Sequence, residues 1–134
     1  MATNLNFSNK NKDDFVGKLE NWVSYLTFFK TEIDFLKKII NTYPFSTNAR
    51  NLFENIQIYS KKLDDFNFNR LLILKKLTLV NQEIKKNKKE KIHKKDSHLT
   101  NEFNLLEDEI LTFIKSYNNL KNTVYNYVYA LLPT

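Results

Sequence analysis

Residues 15–40 read FVGKLENWVSYLTFFKTEIDFLKKII, and their spacing decides the fold. Phe15, Leu19, Trp22, Leu26, Phe29, Ile33, Leu36 and Ile40 follow one another at alternating steps of four and three. That 3.5-residue period keeps one apolar stripe on one side of a helix and turns it toward partner helices. A strand would alternate every second residue, and this stretch does not.

The same period recurs twice downstream. Ala49, Leu52, Ile56, Tyr59, Leu63, Phe66, Arg70, Ile73, Leu77, Val80 and Ile84 form a second seam, with Arg70 its one charged member. Leu99, Phe103, Leu106, Ile110, Phe113, Tyr117, Leu120, Val124, Tyr127 and Leu131 form a third. The chain has 134 residues, one Gly and two Pro, too few breakers for the turns of a sheet protein. The expectation is an all-α fold: an antiparallel up-down-up bundle of three long helices with coiled-coil-like heptad packing. Such a chain is one domain with core enough to fold unaided.

Local signals set the expected boundaries. A tail of residues 1–12 precedes helices over 13–42, 47–86 and 97–132, and a basic hairpin covers 85–96. Pro44 lacks an N–H and stops the first helix, while Ser46, Thr47 or Asn48 offers a cap for the second. Asp96 or Ser97 caps the third. If helix 1 pairs with helix 2 directly across the Pro44 turn, its start reaches only the level of Lys75. Leu77, Val80 and Ile84 are then left for helix 3, the tail or a second molecule to cover. Arg70 is expected to carry its head outward along its stem, the alternative being a pairing with Glu32 or Asp108.

Within helix 1, Trp22, Leu26, Phe29, Lys30, Glu32, Ile33 and Leu36 resemble the first helix of a group of small all-helical proteins from Bacteroidota bacteria. Those proteins share a Trp-led first helix, a long second helix and a third near the C-terminus. The resemblance implies a fold and no activity, since the group has none assigned.

Charge narrows the function. The chain carries a formal +6, of which residues 85–96, KKNKKEKIHKKD, contribute +5 through seven lysines. Lys85, Lys86, Lys88, Lys89, Lys91, Lys94 and Lys95 are therefore the candidate polyanion-binding set. They would attract RNA or another polyanion without sequence preference and lose it steeply with salt. Against that, 19 Lys stand beside 2 Arg. The planar fork that reads phosphate is scarce, and the stretch lacks aromatics on which bases stack. A lysine-rich helical turn is also the ordinary solvated end of a hairpin.

Chemistry finds little footing. There is no Cys, so no disulfide and no thiolate, which fits a reducing compartment. No window approaches a membrane span or a signal h-region, and a cytoplasmic location is expected. Glu90-Lys-Ile-His93 is half of a diiron ligand motif, but it sits among ammonium groups that repel a cation. His98 and Glu102 share a helix face without forming a site. Glu107, Asp108 and Glu109 read as a solvated face. No phosphate loop is possible with one glycine. No catalytic, cofactor-binding or metal residue is assigned, and no cofactor or small-molecule substrate is expected.

What remains is surface. The middle of helix 2, FNFNRLLILKKLTLV (66–80), is apolar over a wider arc than one seam, and tyrosines gather near the C-terminus. Phe68, Leu72, Leu79, Tyr125 and Tyr129 are the candidate interface with a protein partner or a second copy. The functional expectation is a non-enzymatic helical-bundle interaction or scaffold protein. The alternative is a small basic factor docking on RNA or another polyanion through the Lys85–Lys95 hairpin.

Overall fold

The computed structural model describes the backbone of residues 9–42, 45, 49–90 and 96–132, with side chains over 14–42, 45, 49–86 and 98–132. It contains three helices: α1 (Asn9–Thr42), α2 (Leu52–Glu90) and α3 (Asp96–Leu131). All three pairs of helices are in contact, and no strand occurs among the described residues. α2 runs unbroken through Asn67 and Asn69.

The seams become the core. All eight seam residues of α1 are buried, as are Leu99 through Val124 of the α3 seam. On α2, Leu63, Ile73, Leu77, Val80 and Ile84 are buried, while Ile56, Tyr59 and Phe66 pack half-buried against the cluster. Each buried aliphatic or aromatic side chain contributes roughly 1.5–3 kcal/mol relative to exposure. The stripes rather than helix propensity therefore hold the rod together.

Two expectations are corrected at the α1–α2 turn. The second helix starts at Leu52, not 47, because Asn51 adopts φ 56°. Asn is among the few residues that enter the left-handed region at modest cost. The Asn51 carbonyl then accepts the first helical bond, from Asn55 N at 2.9 Å, so the turn is wound off from the helix. Ala49 consequently lies outside α2, and the proposed caps Ser46, Thr47 and Asn48 lie outside the described residues.

The longer turn also resets the register. Lys37 forms an ion pair with Asp64, and Asn41 Nδ2 donates to Ser60 Oγ at 3.0 Å. Leu19, Glu20, Val23 and Ser24 consequently share a groove with Leu77, Thr78, Asn81 and Lys85. α1 thus covers Leu77, Val80 and Ile84 itself, and the overhang expected from direct pairing does not exist. The overhang is at the other end, where the first turns of α2 run beyond Thr42 and Asn55 Nδ2 donates to the Tyr127 hydroxyl at 3.3 Å.

α3 runs antiparallel to α2 and parallel to α1. Lys76 on α2 meets both carboxylate oxygens of Glu109 at 2.9 and 3.0 Å. Lys18 and Glu32 of α1 meet Glu107 and Lys121 of α3, each at 3.5 Å. α1 and α2 approach most closely, α1 and α3 least. Side-chain size explains the difference. Between α1 and α3 the core is aromatic, with Phe15 against Phe103 at 4.2 Å and Phe29 against Tyr117 at 4.7 Å between ring centroids. Rings of that size hold two helices further apart than leucines do.

Candidate partner-binding groove

The outer side of the α1–α3 seam carries exposed apolar residues from both helices, and its two walls can be read from two anchors. On α1, Glu32 points at α3, because its Oε1 accepts a 2.6 Å hydrogen bond from the Tyr117 hydroxyl and lies 3.5 Å from Lys121 Nζ. Residues three, four and seven positions away on a helix share its face. Tyr25, Phe28, Phe35 and Ile39 therefore line the same wall as Glu32. On α3, Lys121 is the anchor, and Ile114, Tyr125 and Val128 line its wall, with Leu111 one turn further toward the N-terminus.

This wall is apolar and wet. Tyr25 is 57% exposed, Phe28 58%, Phe35 53%, Leu111 55% and Tyr125 40%. Taking about 200 Å2 for a whole aromatic side chain, the four rings alone present roughly 400 Å2 to water. That is already the size of the largest apolar patch on an ordinary monomer, and such patches mark binding surfaces. Neither of the other two grooves matches it. The α2–α3 groove, of about 600 Å3, sets Leu79 and Leu105 among Lys76, Glu83, His98, Glu102 and Glu109. The α1–α2 groove is lined by Glu20, Ser24, Thr78, Asn81, Gln82 and Lys85 beside Val23.

A polar centre interrupts the apolar wall. Tyr117 is fully buried, and burial first, then the bond and charge of Glu32, push its phenol far above the ordinary tyrosine range. Tyr125 is pushed up by the same two causes, burial before Glu32. Both phenols keep their protons at neutral pH. Lys121 lies 5.9 Å above the Tyr117 ring, adding a cation–π contact to its ion pair. The arrangement ties α1 to α3 at one level of the rod.

The candidate interface residues do not form one surface. Phe68, Leu72 and Leu79 are exposed on α2, with Leu79 in the groove toward α3. Tyr125 faces Glu32 in the α1–α3 groove, and Tyr129 is 79% exposed near the end of α3. Of the five, Tyr125 alone joins the groove. Tyr25, Phe28, Phe35 and Leu111 were not singled out by the heptad pattern. For the three α1 residues the signal is a second apolar stripe in YLTFFKTEIDF, set beside the first, which a search for the strongest stripe passes over.

Of the candidate polyanion set, Lys85 and Lys86 are exposed near the end of α2. Lys88 and Lys89 lie on that helix without a described side chain, and Lys91, Lys94 and Lys95 lie outside the described residues. Arg70 departs from expectation. It is 3% exposed rather than extended into solvent, its Nε donating to Asn67 Oδ1 at 3.0 Å and its Nη1 reaching the Leu26 carbonyl at 3.5 Å. The Asn67 amide oxygen and the Leu26 carbonyl take the place of water as acceptors. Burial lowers its pKa, opposed by the charge of Asp34. His98 Nε2 and Glu102 Oε1 form an exposed pair at 2.9 Å. No group of three metal-ligating side chains and no helix long and apolar enough to cross a membrane occurs among the described residues.

Comparisons with protein-family models, with curated proteins and with solved structures give no match, so function is argued from this geometry.

Proposed function

We propose that the protein is a non-enzymatic interaction module, a rigid three-helix rod that presents the α1–α3 groove to a protein partner or to itself. The observation that carries the proposal is the exposed apolar wall of Tyr25, Phe28, Phe35, Leu111 and Tyr125, each at least 40% exposed on helices whose inner faces are fully packed. Rigid rings lose little conformational freedom on docking, which favours them at interfaces. A helix entering the groove would complete a four-helix bundle by the packing rules that already join the three.

The test is photo-crosslinking. A benzophenone amino acid at position 28 or 111 is expected to give adducts in cells expressing the protein, whereas one at the exposed Lys61 on α2 gives none. Equal yields from all three positions, or none from 28 and 111, would overturn the proposal.

A further inference from the structure

We infer that the occupant of the α1–α3 groove is the same groove of a second copy, related by a two-fold axis parallel to the helices. The inference rests on the interaction reading above and names its partner. Three features of the surface point to it.

The first is charge. The ion pairs that span the groove, Lys18–Glu107 and Glu32–Lys121, each join α1 to α3 at one level of the rod. Because α1 and α3 run parallel, a two-fold axis along the rod lays α1 of one copy over α3 of the other at unchanged height. Lys18 then faces the second copy's Glu107 and Glu32 the second copy's Lys121, twice each. An arrangement turned end for end about the level of Tyr25 would set Lys18 on the second copy's Glu32 and Glu107 on its Lys121, so the mixing experiment below is what separates the two.

The second is shape. The level that places Glu32 opposite Lys121 also places Tyr25 opposite Ile114, Phe35 opposite Tyr125 and Ile39 opposite Val128. Phe28 and Leu111 fall beside Asn118 and Asn21, and each of these contacts occurs twice, as an isologous interface requires.

The third is area. A stable interface covers about 800 Å2 per partner. The four rings supply roughly half of this, and Leu111, the half-buried Ile39, Ile114 and Val128, and the charged rim supply the remainder. The apolar residues of α2 do not offer the same. Phe68, Leu71, Leu72 and Leu79 are interspersed with Asp65, Lys75, Lys76, Glu83 and Lys86, so charged side chains interrupt the apolar surface there.

The test is sedimentation equilibrium of the full chain in 150 mM salt, read against the 16.0 kDa mass of one copy. The wild type is expected to show a concentration-dependent monomer–dimer equilibrium. Phe28→Glu/Phe35→Glu and, independently on the other wall, Leu111→Glu are expected to sediment as monomers with unchanged helical circular dichroism. Phe68→Glu/Leu72→Glu on α2 is expected to dimerise like the wild type. A mixing experiment tests the two-fold arrangement. Lys18→Glu and Glu107→Lys, each weakened alone by several-fold, are expected to form a mixed dimer at least about five-fold tighter than either self-dimer. A single species of one-copy mass at all concentrations would overturn the inference. So would dimers that persist in both groove variants, or a mixture no tighter than its components. A monomeric wild type that still yields adducts from position 28 sinks the second-copy inference and leaves the interaction reading standing. Absence of both sinks both.

Discussion

Tyr117 on α3 donates its hydroxyl to Glu32 Oε1 on α1 across 2.6 Å, in a core that is apolar apart from Arg70. A hydrogen bond to a charged acceptor is worth about 1.5–3 kcal/mol, and one formed away from water leaves a costly orphan when broken. Tyr117→Phe is therefore expected to lower unfolding stability by about 1.5–3 kcal/mol in urea titrations with an unchanged slope. A loss below about 0.5 kcal/mol would mean that Lys121 alone satisfies Glu32.

The same pair predicts an alkaline limb. The folded chain holds Tyr117 above its unfolded value near 10, so the unfolded state releases the proton first as pH rises. Stability contributed by the neutral phenol is complete below about pH 10 and declines as pH climbs toward the raised folded value. Absorbance at 295 nm should show a tyrosine that ionises only on unfolding, and Tyr117→Phe should remove that step and flatten the limb.

Arg70 lies on the α2 seam with two weak polar partners and no carboxylate within ion-pair distance among the described residues. A buried cation so poorly compensated costs stability, and a well-shaped apolar replacement recovers it. Arg70→Met is expected to hold or raise the melting temperature, whereas Arg70→Ala, which also opens a cavity, should lose about 2–4 kcal/mol. A large loss on Arg70→Met would show that the guanidinium holds the bundle together.

Gly17 sits inside α1 with ordinary φ, and a methyl group added to it would meet nothing within 4 Å. A helical Gly costs about 0.5–1 kcal/mol against Ala through the entropy of the unfolded chain. Gly17→Ala should therefore stabilise the protein by that amount in thermal or urea melts.

The lysine run is separable from the groove. Replacing Lys85, Lys86, Lys88, Lys89, Lys91, Lys94 and Lys95 by Gln is expected to abolish any salt-sensitive binding of fluorescent RNA or anionic vesicles. Stability and sedimentation at 150 mM salt should be untouched. Binding by the variant equal to the wild type would place the polyanion surface elsewhere.

The heptad seams made the core legible residue by residue, because a 3.5 period allows only one inward face. Register was not legible. It depends on how many residues the turn spends before the next helix starts, and that number follows from Asn51 adopting a left-handed conformation that several other residues in the turn could equally have taken. Leu77, Val80 and Ile84 consequently exchanged an expected gap for a covered position. The burial of Arg70 escaped for a related reason, since seam position says inward but not whether a long stem finds acceptors there. The groove escaped because Phe28 and Phe35 adjoin Phe29 and Leu36, and a single-stripe pattern credits each pair once. Only the side-by-side placement of α1 and α3 turns the leftover rings into a wall.

The most direct measurement is thiol labelling, since the chain has no cysteine of its own. Leu111→Cys in the groove and Phe68→Cys on α2 would be alkylated by a maleimide at native concentration and after thousand-fold dilution. If the α1–α3 groove is covered when the protein is at work, the Leu111→Cys thiol reacts more slowly than the Phe68→Cys thiol when concentrated and catches up on dilution. A rate ratio that dilution leaves unchanged would contradict the pairing of two copies through this face.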